Sequence, residues 1–184
     1  MMELRTSETS PLYVDFLPAE ALGLPGRIGL TIAPGKRDDF ALWHRDLEAD
    51  LARLRAHYDA HLLVTLVEEH ELQLLGIREL RERAEAHGLA SEWFPFEDGG
   101  VPPSEPGLGA LVERSLGVVR AGRTVVIHCR GGLGRSGLVA ASCLVALGHA
   151  PPEALGLVRG ARDGAIEPRQ ARWLLERQAR PTSR

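Results

Sequence analysis

Thr124-Val125-Val126-Ile127 is apolar without the alternation of a half-exposed strand, and His128-Cys129-Arg130-Gly131-Gly132-Leu133-Gly134 carries the chain from it straight into an apolar stretch. A strand buried on both faces needs cover on both sides of its sheet, and that is the arrangement of α/β proteins with parallel strands. The remaining pattern agrees. Apolar, β-branched runs predict further strands over Tyr13–Leu17, Ile28–Ile32, His61–Val67 and Glu92–Phe96. Helical spacing predicts helices over Phe40–Tyr58, Glu69–Leu75, Arg78–His87, Pro106–Ala121, Gly134–Leu147, Pro152–Arg162 and Pro168–Ala179. The expected fold is α/β, a single domain whose central, partly parallel sheet is flanked by helices. Sites in such sheets gather at the carboxyl ends of the strands, where His128-Cys129 falls.

With 184 residues the chain can bury its own core without disulfides or metals. Residues 1–10 read as a flexible leader and 11–184 as one domain. The first eight residues hold no apolar run, so no signal peptide is expected, and no segment has the apolar length of a membrane span. A net charge of -3 predicts no general attraction to nucleic acid or to a membrane surface. Of 22 basic residues only Lys36 is a lysine, a bias read as compositional. Two cysteines, Cys129 and Cys143, make no disulfide framework, which predicts a reducing cytoplasm. Cys143, inside the apolar helix, reads as core, with a resolving thiol as the other reading. His44, His57, His61, His70, His87 and His149 show no metal-ligand spacing, and no metal or cofactor is expected.

Gly131, Gly132 and Gly134 are costly in chain entropy and contribute nothing to packing. They are explained if the backbone curls so that its N–H groups converge on one point. A curled loop running into a helix N-terminus is an anion site, because both the N–H groups and the helix dipole favour negative charge. The same setting would hold a cysteine as the nucleophilic thiolate. Arg135, six residues after Cys129, can close the loop with a planar fork suited to two phosphate oxygens. Arg130, Gly131, Gly132, Leu133, Gly134 and Arg135 form the expected phosphate cradle. Ser136 is placed to donate a hydrogen bond to the sulfur, and His128 to brace the loop from behind. A nucleotide-binding loop is excluded by the missing Gly-Lys-Ser/Thr.

His128-Cys129-x5-Arg135-Ser136 resembles the motif of the cysteine-dependent protein tyrosine and dual-specificity phosphatases. Gly131-Gly132-Leu133-Gly134-Arg135-Ser136, Leu22-Gly23-Leu24-Pro25-Gly26, Pro95-Phe96-Glu97-Asp98-Gly99-Gly100 and Gly164-Ala165-Ile166 are similar to the cyclin-dependent kinase-associated phosphatase group within it. The likeness spans roughly residues 20–178 and suggests a bacterial relative. It implies a protein-tyrosine-phosphatase-like fold and hydrolysis of phosphotyrosine, with phosphoserine and phosphothreonine as further targets, through a phosphocysteine intermediate. The partner implied is a phosphorylated protein or peptide. An inositol-phosphate or phosphoinositide phosphatase using the same loop is the competing reading. A sulfurtransferase has no need of Ser136 or Asp98, and a phosphate-binding module without turnover has no need of the nucleophile.

Expelling an alkoxide or phenoxide calls for a carboxylic acid. The resemblance makes Asp98 that acid, with Glu97 as runner-up and a plain Asp-Gly turn as the alternative. Gln170 stands near where related enzymes carry a glutamine that orients water, though an exposed helix residue reads equally well there.

Overall fold

The computed structural model describes residues 4–177. Its strands are β1 (Arg5–Thr6), β2 (Asp15–Phe16), β3 (Arg27–Thr31), β4 (Arg37–Asp38), β5 (Trp43–His44), β6 (Ala60–Thr65), β7 (Ala90–Trp93) and β8 (Thr124–His128). Its helices are α1 (Ala19–Leu22), α2 (Leu47–Ala56), α3 (Glu69–Leu74), α4 (Leu80–Ala86), α5 (Glu105–Arg120), α6 (Gly134–Ala146), α7 (Pro151–Ala161) and α8 (Pro168–Glu176).

All five residues of β8 are buried. Side chains alternate between the faces of a strand, so full burial means both faces are covered. β8 accordingly lies in the middle of a five-stranded sheet of order β2-β3-β8-β6-β7. β3, β8, β6 and β7 run parallel, and only the two-residue edge strand β2 is antiparallel. Helices α5 and α6 pack on β8, α7 and α8 on α6, and α2 and α4 on β6 and β7 respectively. α6 is apolar almost all round and is buried over nearly its whole length, as such a helix must be.

The helix expected over Phe40–Tyr58 and the strand expected over Glu92–Phe96 are corrected. The helix expected over Phe40–Tyr58 begins only at Leu47, where Asp46 caps it by accepting from the Ala49 N–H at 2.8 Å. The seven residues before it turn back: Leu42 has φ 55°, which no helix tolerates, and β4, β5 and β1 form a small second sheet. Leucine spacing was legible there, but the cap outranks it. Within the segment expected to be a flexible leader, Arg5 and Thr6 pair in parallel with Trp43 and His44. The strand expected over Glu92–Phe96 runs from Ala90 to Trp93, ending before Pro95, which cannot donate to a ladder. The other strands and helices form within a few residues of their expected bounds; the last two residues of the helix expected to end at Ala179 lie outside the described residues.

Four parallel strands end on one side, and each delivers one part of the site. β8 leads into the Cys129 loop, β3 into Lys36, β6 into α3 with Glu71, and β7 into Asp98.

Candidate active site

The loop after β8 curls because its carbonyls are held outward. Arg130 O accepts from the Ala33 N–H at 3.4 Å, and Gly131 O from Arg162 Nη2 at 3.1 Å. Leu133 O accepts from the N–H groups of Ile166 and Gly137 at 3.2 and 3.1 Å. Asp15 holds Arg162 for its part, at 2.5 Å. Gly132 has φ 68°, and a Cβ there would stand 2.3 Å from the Thr31 carbonyl oxygen, so only glycine fits. With the carbonyls so used, the backbone N–H groups of Arg130 to Ser136 have no protein acceptor among the described residues. They line the concave side of the loop at the N-terminus of α6, an arrangement made for an anion.

Cys129 lies in this concavity, 2% exposed, with the Ser136 hydroxyl 3.5 Å from its sulfur. His128, expected to brace the loop, is wholly buried. Its Nδ1 must carry the proton, because it lies 3.1 Å from the Cys129 carbonyl, and Nε2 then accepts from the Thr65 hydroxyl at 2.9 Å. Burial pushes its pKa down to about 4, although the bond to the Cys129 carbonyl works the other way. The ring is therefore a neutral strut rather than a base at neutral pH.

Arg135 is fully buried, and its fork is already occupied on one side. Nη1 and Nη2 donate to the two Glu71 oxygens at 2.6 and 2.8 Å, and Nη1 also to the Phe96 carbonyl at 2.9 Å. Nη2 lies 3.1 Å from Asp98 Oδ1, and Nε has no partner. Burial works against the Arg135 charge, but Glu71, Cys129 and Asp98 outweigh it and hold it firmly protonated. Glu71 thus pins the guanidinium so that Nε, with the Nη2 hydrogen now facing Asp98, is left for an incoming oxyanion. Nothing in the sequence pointed to Glu71: Glu68-x-x-Glu71 reads as a helix capping box, which it also is.

Asp98 follows β7 on a loop turned at Gly99, φ 67°; its side chain is 65% exposed and lines the pocket above Cys129. Glu97 is exposed and does not line that pocket. Gln170 is not the exposed residue that one reading expected: it is fully buried, accepts from the Glu167 N–H at 3.0 Å and donates to the Gly100 carbonyl at 2.9 Å. It therefore ties the Asp98 loop to the start of α8, beside Gly134. Glu167 reaches the same pocket from the N-cap of α8. The Arg130 guanidinium reaches out to Asp38 at 3.0 Å, and Leu133 and Gly134 form pocket wall. Lys36, noted in the sequence only as the one lysine and given no role, is on that wall too. Cys143 is buried in α6, and burial pushes its pKa up to about 12. Among the described residues no group of His, Cys, Asp or Glu could hold a metal ion, and no helix is long and apolar enough to cross a membrane.

A sulfur at the focus of unpaired N–H groups, an arginine fork aimed beside it and a carboxylate at the rim define the site of a cysteine-dependent phosphatase. The model of the family described as cyclin-dependent kinase inhibitor 3 matches residues 3–154. A rat protein named cyclin-dependent kinase inhibitor 3 is 28% identical over 166 residues, covering 87% of this chain and 75% of that one. A protein tyrosine phosphatase PRL-1 of Trypanosoma cruzi is 32% identical over 113 residues, covering 58% of this chain and 61% of its own. A crystal structure of kinase associated phosphatase, with serine in place of its catalytic-site cysteine, superimposes with a TM-score of 0.84 at 25% identity, covering 92% of this chain and 96% of that one. The chain belongs to the cyclin-dependent kinase inhibitor 3 family, and is a cysteine-dependent phosphatase of the protein tyrosine and dual-specificity class.

Proposed function

We propose that the protein hydrolyses phosphotyrosine, and with it phosphoserine and phosphothreonine, on protein substrates through a phosphocysteine intermediate on Cys129. The observation that carries this reading is the set of unpaired N–H groups from Arg130 to Ser136 around the Cys129 sulfur. Those groups and the free side of the Arg135 fork bind three phosphate oxygens and hold the fourth in line with the sulfur. The thiolate attacks phosphorus; the P–O bond to the substrate breaks, and Asp98 gives its proton to the departing oxygen. Charge spread over the equatorial oxygens meets donors already in place, so little reorganisation is needed. In the second step Asp98, now ionised, takes a proton from water as its oxygen attacks phosphorus and the P–S bond breaks. The Ser136 hydroxyl stabilises the departing thiolate. Arg130 to Gly134 act through their backbone. Gln170 acts by holding the Asp98 loop through Gly100, which places the carboxylate and the water it activates.

No step calls on a metal or a cofactor. A free nucleophilic thiol fits a reducing compartment, and we place the protein in the cytoplasm on that ground. Rapid denaturation during turnover of a labelled phosphotyrosine peptide tests the reading: label that survives alkali but is lost in mild acid should sit on Cys129, and Cys129→Ser should carry none. Side-by-side rates on phosphotyrosine, phosphothreonine and inositol-phosphate substrates rank the substrate classes. Turnover without a labelled cysteine would refute the mechanism.

A further inference from the structure

Lys36 is the single lysine among 22 basic residues. It follows β3, directly beside the Cys129 loop, and its placement is stiff. Gly35 N–H donates to Asp50 Oδ2 at 2.8 Å, and Asp50 is clamped by Arg45 at 2.7 and 2.8 Å with both side chains buried. Arg45 N–H in turn donates to the Lys36 carbonyl at 3.1 Å, and Arg45 Nη1 to the Ser10 carbonyl at 2.7 Å. Lys36 as a whole is 7% exposed, its ammonium lies 5.7 Å from the centre of the Trp43 ring, and it lines the pocket that holds Cys129. Among the described residues it has no hydrogen-bonded acceptor. Burial lowers its pKa, Asp38 opposes that, and Arg130 and the Cys129 sulfur both lie near enough to act on it.

The Lys36 stem is buried but its ammonium opens onto the pocket, where Asp38 is the nearby counter-charge and no protein group accepts its hydrogens, so they are available to an oxyanion in the pocket. The phosphate to be removed does not need it, being surrounded by the loop N–H groups and Arg135. Arg130, next to Lys36 on the pocket wall, spends one Nη on Asp38, and the rest of its fork has no hydrogen-bonded acceptor among the described residues. The pocket volume of about 250 Å³ is several times that of one phosphate group, and on the Arg130 side it adjoins an open cleft of about 570 Å³. A compact ammonium with three donors, beside a fork with donors to spare, is a phosphate-binding pair.

We propose that Lys36 and Arg130 form a second phosphate subsite beside the Cys129 loop, and that the preferred substrate carries a second phosphate close to the one removed. The proposal rests on the phosphatase reading above and names the substrate feature that site selects. A peptide phosphorylated at two neighbouring residues and a soluble inositol bisphosphate both present this chemistry, and separate assay arms tell them apart.

The test compares kcat/KM for a doubly and a singly phosphorylated peptide of the same sequence, and for an inositol bisphosphate and its monophosphate. Inhibition by methylenediphosphonate and by orthophosphate adds a measurement that needs no turnover. The wild-type protein should favour the doubly phosphorylated member of at least one pair by about tenfold, the worth of one buried bond between charged groups. Methylenediphosphonate should inhibit more tightly than orthophosphate. In Lys36→Met the tenfold ratio should collapse towards one, and Lys36→Arg should restore part of it. Preference in the peptide pair identifies a protein carrier, and preference in the inositol pair alone identifies the ring. Equal rates within both pairs in the wild-type protein would overturn the proposal, as would a ratio that survives in Lys36→Met. If Lys36→Met fails to fold by its melting curve, the wild-type ratios and Arg130→Ala decide. Absence of any phosphomonoester turnover by the wild-type protein would instead refute the phosphatase reading.

Discussion

Glu71→Gln isolates the tether that holds Arg135. Gln keeps the shape of Glu71 but replaces one accepting oxygen with an NH2 group that faces a guanidinium N–H, so one of the bonds at 2.6 and 2.8 Å becomes a clash between donors. The Arg135 charge stays buried with one of its four acceptor oxygens replaced by a donor and its closest counter-charge removed. Breaking one side of a buried pair costs about 3–5 kcal/mol, and the isosteric amide keeps the cost near the lower end, ~3 kcal/mol. For a domain of this size that is a fall in Tm of about 6–12 °C. Asp98 becomes the only carboxylate beside the fork, and a displaced fork should lower kcat/KM by about 10²-fold. Calorimetry and steady-state rates on a phosphotyrosine peptide read both effects, with Glu69→Gln on the exposed side of α3 as control. The pH dependence carries the same sign. Burial raises the Glu71 pKa, but the bonds from Arg135 and the Glu68 N–H outweigh it and hold the carboxyl below its usual 4.5. A carboxyl with a lowered folded pKa contributes stability above 4.5 that is lost as the pH falls through the folded value, and this loss should be absent in Glu71→Gln. A variant that melts with the wild type and keeps its kcat/KM would refute the account of Arg135 as a tethered group.

Asp98→Asn should slow a phosphotyrosine peptide by about 10²–10⁴-fold but an activated aryl phosphate far less, because a good leaving group needs no proton; the same pattern in Glu97→Gln would transfer the role to Glu97. Hydrogen peroxide should oxidise Cys129 before Cys143, whose thiol is buried with a pKa of about 12, and peptide mass spectrometry showing the reverse order would contradict these environments. Gly132→Ala forces a residue with φ 68° and a methyl 2.3 Å from the Thr31 oxygen, so vanadate affinity should fall by tenfold or more; unchanged affinity by titration calorimetry would show the loop to be slack. His128 is neutral in the folded chain to a pKa of about 4 but to 6.5 when unfolded, so stability should decline by ~3 kcal/mol between pH 6.5 and 4. Urea titrations check this, and a decline undiminished in His128→Asn would assign it elsewhere.

The curled loop after β8 was legible in the sequence because its constraints are local. A strand that must be buried, three glycines and a helix start are consecutive residues, and their backbone geometry alone makes an anion site at Cys129. The parallel sheet followed from the same run, since a strand without alternation has nowhere to sit but between two covered faces. Where neighbours compete, local spacing failed. Leu42, Leu47, Leu51 and Leu54 read as one helical face, but Asp46 capping α2 and the pairing of Trp43 with Arg5 leave Leu42 outside the helix. Glu71 and Lys36 were beyond reach for a different reason. Glu71 lies 64 residues from Arg135, and its local role as a capping residue is complete without the distant arginine. Lys36 stood out as the only lysine, yet composition cannot say what a side chain faces. Four parallel strands ending side by side bring Lys36, Glu71, Asp98 and Cys129 around one pocket, and their order in the sheet is set by which apolar faces bury together rather than by any spacing along the chain.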